Sequence, residues 1–110
     1  MSAWTVVGHA ADVPMLEGRS VRLGDERVAV FRLADGWAAL GNACPHRAGP
    51  LSDGIVADSC VTCPLHARRF DLATGVQVGG TDEVAVYEVR ERDGMLELRA
   101  ALEAVLDEAA

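Results

Sequence analysis

Two short stretches hold the side chains best suited to chemistry. CPHRAGPL, starting at residue 44, sets Cys44 and His46 in a C-x-H arrangement, and CPLHARRFDLATG, starting at residue 63, sets Cys63 and His66 in a C-x-x-H arrangement. Sixteen residues lie between His46 and Cys63. Each stretch therefore offers a metal one soft thiolate and one imidazole. A single tetrahedral zinc accepts both donor types, but zinc fingers usually pair like with like, cysteines in one turn and histidines in the next. Mixed pairing suits a cluster of two irons and two sulfides whose irons are unlike. One iron takes both thiolates and the other both imidazoles, so each loop sends a ligand to each metal. Exchanging two thiolates for neutral imidazoles removes two negative charges, which makes the cluster easier to reduce than an all-cysteine one.

Such loops need a scaffold, and the rest of the chain reads as short β-prone segments separated by turns, an all-β protein. Trp4–Val7 opens the series. Arg19–Leu23 and Arg27–Leu33 flank the turn Gly24-Asp25-Glu26, and Asp35-Gly36 turns the chain into Trp37–Leu40. After the ligand region, Val84–Val89 and Met95–Arg99 flank Asp93-Gly94 as a further hairpin. The stretch between, residues 43–80, is rich in Pro and Gly with little periodicity and reads as loops. The final ten residues, ALEAVLDEAA, space Leu102, Val105 and Leu106 at helical intervals, which predicts a short amphipathic helix.

The chain has 110 residues, the size of one compact domain, so residues 1–110 are read as a single unit. Seventeen acidic against ten basic residues give a net charge of -7, which argues against nucleic acid or an anionic membrane as partner. No apolar run approaches the roughly 20 residues of a membrane span, and MSAWTVVGHA lacks the pattern of a leader, so a cytoplasmic location is expected. In a reducing compartment the three cysteines are more naturally metal ligands or apolar fillers than disulfide partners. There is no serine elbow and no Gly-rich dinucleotide fingerprint, so any nicotinamide or flavin belongs to another polypeptide.

CPHRAGPL and CPLHARRFDLATG together resemble the two cluster-binding boxes of the Rieske family. That resemblance implies an antiparallel β-sandwich with a cluster-binding subdomain inserted at about 43–78, and a [2Fe-2S] cluster. Cys44 and Cys63 would hold the inner iron, with His46 and His66 on the outer, solvent-facing one. It further implies one-electron transfer rather than independent turnover. Respiratory members of the family carry an extra cysteine in each box, joined as a disulfide; Gly49 and Leu65 stand at those places here. High-potential members place Ser and Tyr hydroxyls just after the second histidine. Arg68 and Phe70 replace them, so the potential is expected toward the low end of a range of roughly -150 to +300 mV. A third covering loop often contains proline, and near VQVGGTDE the pair Gly79-Gly80 would cover the cluster instead. The full stretch looks most like small subunits of assimilatory NAD(P)H nitrite reductase, whose partner would be a large flavin- and siroheme-containing subunit. The ferredoxin component of an aromatic-ring dioxygenase system is the second reading, and a zinc-stabilised or metal-free interaction module is a third. A catalytic oxygenase subunit would need a second iron domain.

Other residues have plainer readings. Cys60 forms C-x-x-C with Cys63 but sits in a β-prone segment, where a buried filler is expected. His9 reads as a surface or structural histidine, and Trp4 and Trp37 as core anchors. Arg47, Arg68 and Arg69 are either solvated or a docking patch for a redox partner.

Overall fold

The computed structural model describes residues 4–44, 49–65 and 67–100. Among the described residues, nine strands build two antiparallel sheets. Six belong to the larger sheet: β1 (Thr5–His9), β2 (Gly18–Leu23), β3 (Glu26–Leu33), β4 (Gly36–Gly41), β8 (Val86–Arg92) and β9 (Met95–Ala100). Their order is β1-β9-β8-β4-β3-β2, and the edge strands β1 and β2 approach each other, so the sheet curls back on itself. The smaller sheet is β5 (Ile55–Ala57), β6 (Cys60–Thr62) and β7 (Arg69–Asp71), in that order.

The centre of the large sheet is buried on both faces, which explains the unbroken apolar run Val28-Ala29-Val30-Phe31 on β3. Alternation divides that run. Val28 and Val30 point inside the curl, where they pack with Val13, Ala39, Leu96 and Leu98. Ala29 and Phe31 point the other way, and with Ala38 and Leu40 they meet Leu51, Val61, Phe70 and Leu72 of the insert. Cys44 and Cys63 belong to this second cluster, so the candidate ligands are packed against the back of the sheet.

The hairpins follow their turn residues. Asp93 and Gly94 both adopt positive φ, +54° and +79°, as a two-residue turn between Arg92 and Met95 requires. The stretch 43–80 differs from the expectation of plain loops, because residues 55–71 contain three short strands. Asp58 and Ser59 make the β5–β6 turn with φ of +53° and +61° and no glycine. The strand expected at Val84–Val89 begins at Val86, since the Val84 N–H donates to the Gly75 carbonyl at 2.9 Å instead. The expected C-terminal helix lies outside the described residues. Among the described residues no helix is long and apolar enough to cross a membrane.

The two tryptophans are only half-buried, and cations cover them. Arg90 and Arg99 lie over the Trp4 ring at 4.1 and 4.5 Å, and Arg32 lies over Trp37 at 4.6 Å. Arg90 also pairs with Glu97, and Arg99 with Glu88, so charges across β8 and β9 orient the guanidinium groups. His9 ends β1 in an exposed position.

Candidate metal centre

Both ligand loops are closed by the same device. The Cys44 N–H donates to the Gly49 carbonyl at 2.9 Å, and the Cys63 N–H donates to the Arg68 carbonyl at 2.7 Å. In each case the bond spans five residues and forms a neck, and the intervening sequence contains His46 or His66. Those two histidines and Arg47 lie outside the described residues. The second neck is tightened by the Ala67 N–H, which donates to the Cys63 carbonyl at 3.1 Å. Ala67 has φ of +55°, a left-handed conformation that strains a residue with a Cβ.

Asn42 anchors the first neck from below. Its carbonyl accepts from the Leu51 N–H at 2.7 Å and its side-chain Oδ1 from the Ser52 N–H at 2.9 Å. The second loop rises from β6 and returns on β7, whose Phe70 is fully buried. The residues FDLATG then act as a turn with its own internal bonds. Asp71 Oδ1 accepts from the Ala73 and Thr74 N–H groups at 2.8 and 3.0 Å, and Thr74 Oγ1 accepts from the Val76 N–H at 3.2 Å. Gly75 closes it with φ of +74°, and a Cβ there would lie 2.4 Å from the Val84 carbonyl oxygen.

The two loops meet. A Cβ on Gly49 would lie 2.9 Å from the Leu65 side chain and 3.2 Å from Cys63 Sγ. Glycine in the first box thus lets Leu65 of the second fold against it, at the positions where a disulfide was noted to be missing. Cys44 and Cys63 are each 1% exposed. A neutral buried thiol is an acceptable apolar filler, but a buried thiolate needs a compensating cation, and a metal supplies one. Cys60 is buried on β6, and among the described residues no group of three His, Cys, Asp or Glu side chains forms a metal site. His46 and His66 fall outside the described residues. Two buried cysteines, each with a histidine two or three residues on in sequence, are a donor set that fits a [2Fe-2S] group with unlike irons.

The third loop is hooked onto the second. The Val78 N–H donates to the Arg69 carbonyl at 2.8 Å, and the Arg68 guanidinium meets the Asp82 carboxylate at 2.5 Å. Arg68 is therefore engaged within the chain and only partly exposed, while Arg69 is exposed. Gly79-Gly80 turns the third loop back on Gln77, whose N–H donates to the Asp82 carbonyl at 2.8 Å. Sequence reasoning did not single out Asp82, Asn42 or Asp71. Asp71 was visible only as part of a motif, and the other two owe their role to partners distant in sequence. Away from the loops, on β8, burial raises the Tyr87 pKa above 10.0, and the Glu26 carboxylate adds to the shift.

Residues 3–94 match the model of the Rieske [2Fe-2S] domain. The chain belongs to that family, and its cofactor is a Rieske-type [2Fe-2S] cluster serving electron transfer. Among curated relatives, the anthranilate 1,2-dioxygenase ferredoxin subunit of Burkholderia cepacia is 34% identical over 100 residues, covering 89% of this chain and 93% of its own. The oxygenase component of dicamba O-demethylase from Stenotrophomonas maltophilia is 48% identical over 74 residues, covering 64% of this chain and 21% of its own. Among solved structures, a putative NADH-dependent nitrite reductase small subunit from Mycobacterium tuberculosis superposes with a TM-score of 0.82 at 30% identity, covering 90% of this chain and 96% of that one.

Proposed function

We propose that this chain carries single electrons between two protein partners, with Cys44 and Cys63 holding one iron of the cluster and His46 and His66 the other. The observation that carries this reading is the repeated neck: two buried cysteines, each bonded to the backbone five residues on, in loops that touch at Gly49 and Leu65. The cluster supplies a reversible one-electron couple when bound. The chain's residues bury the thiolates and fix the spacing of the loops. An imidazole edge facing a partner shortens the electron's path, whereas the thiolate side is closed by Leu51, Phe70 and β3.

As to partner, we favour the small-subunit role in NAD(P)H nitrite reduction, with a large flavin- and siroheme-containing subunit as the other half. Leu65 and the glycine-built third loop support it, as does the fit to the mycobacterial small subunit. The ferredoxin reading is favoured by one observation, the full-length match to the Burkholderia ferredoxin subunit. Reconstitution separates them. Anaerobically prepared chain is mixed in turn with a flavin/siroheme nitrite reductase large subunit and with a ring-hydroxylating oxygenase plus its reductase, and the reoxidation of the reduced cluster is followed by stopped flow. Fast, saturable oxidation with the siroheme subunit is expected. Turnover only with the oxygenase would replace the first reading by the second, and a protein without iron or labile sulfide would defeat both.

A further inference from the structure

The second ligand loop is held twice by one residue. The backbone carbonyl of Arg68 closes the neck on the Cys63 N–H, and its side chain reaches fourteen residues along the chain to Asp82. Asp82 in turn sits in the third loop, where its own carbonyl accepts from Gln77, while the neighbouring Val78 is bonded to the Arg69 carbonyl. The charged pair is partly shielded, with the Arg68 side chain 28% exposed and Asp82 41%.

We propose that Arg68 is a positioning residue. Through Asp82 it latches the third loop, residues 76–84, against the Cys63/His66 loop, and the pairing keeps its charge from acting alone on the cluster. The proposal rests on the ligand assignment above. Reduction adds a negative charge to the cluster, so a nearby unpaired cation favours the reduced form and an unpaired anion the oxidised form. Paired, the two charges largely cancel. The same geometry accounts for one glycine in the loop: Gly79 adopts φ of +76°, which favours a residue without a Cβ. The latch needs a tight turn to bring Asp82 back to Arg68.

Three variants of the full chain test this: Asp82→Asn, Arg68→Gln and the double variant. Two quantities are measured in each, the midpoint potential of the cluster and hydrogen exchange at the Gln77 and Val78 amides. Asp82→Asn should raise the potential and Arg68→Gln should lower it, with the double variant returning close to the parent. Exchange at both amides should rise about two- to fivefold in either single variant, the range for a partly exposed ion pair, with little further rise in the double. A purely structural pair would loosen the loop without splitting the potentials in sign. Shifts of the same sign, or unchanged exchange in both single variants, overturn the proposal. Should the parent protein hold no cluster, the ligand assignment falls, and the exchange measurement still decides whether the latch exists.

Discussion

The curled six-stranded sheet and the insert at residues 42–84 are stabilised in different ways. In the sheet, β2 and β3 pair from Gly18↔Phe31 to Leu23↔Glu26, and β3 and β4 pair from Val28↔Gly41 to Leu33↔Gly36, so the ladders are long and regular. Strands of the insert are three residues each, and much of its order comes from necks, from Asn42 and Asp71 side chains and from packing on Phe31 and Leu40. Short ladders contribute little by themselves. The sheet is therefore expected to hold its strands without the metal, and the insert to depend more on it.

The largest effect that separates the two regions comes from the cysteines. Cys63→Ser, or Cys44→Ser, should abolish cluster binding while far-UV circular dichroism retains the strand signal of the large sheet. Complete unfolding of both variants would show that the scaffold depends on the cluster. Next come Phe31 and Phe70, two phenylalanines of the shared core. Each is fully buried, and truncation to alanine should cost about 3–5 kcal/mol. Phe31→Ala should lower the denaturation midpoint of the whole fold. Phe70→Ala should release iron before the sheet melts, and coincident loss of both signals would erase the distinction between regions.

A smaller effect tests strain in the second neck. Ala67 holds φ of +55°, so Ala67→Gly should stabilise the loop by about 1 kcal/mol and slow cluster loss to a chelator. Faster loss would mean that the methyl group packs usefully. The smallest effect lies in the sheet. Burial and Glu26 raise the Tyr87 pKa, so its contribution is fully present below the unfolded tyrosine value and is lost as pH rises through the higher folded value. Thermal melts above about pH 10 should therefore decline less in Tyr87→Phe than in the parent protein.

Legibility in the sequence followed the same division. The run Val28–Phe31 and the Asp93-Gly94 turn revealed the sheet because apolar pattern and turn chemistry act locally. The hairpin at Asp58-Ser59 was hidden, since neither residue is a glycine and strands of three residues have no measurable period. Ligand types and spacing at Cys44 and Cys63 were readable. Their shared neck was not, because its acceptors are backbone carbonyls that any residue supplies. For Arg68, local reasoning offered solvent, a docking partner or the place of a missing hydroxyl, and its neighbour Asp82 lies fourteen residues away in a loop that turns at Gly79.

One spectrum probes the asymmetric ligand set without intermediaries: pulsed electron paramagnetic resonance of the dithionite-reduced protein, prepared anaerobically with its histidines labelled with ¹⁵N. Hyperfine coupling to two histidine nitrogens is the result expected for His46 and His66 on one iron. A reduced [2Fe-2S] signal with no histidine coupling, or a folded protein that binds no iron at all, would contradict it.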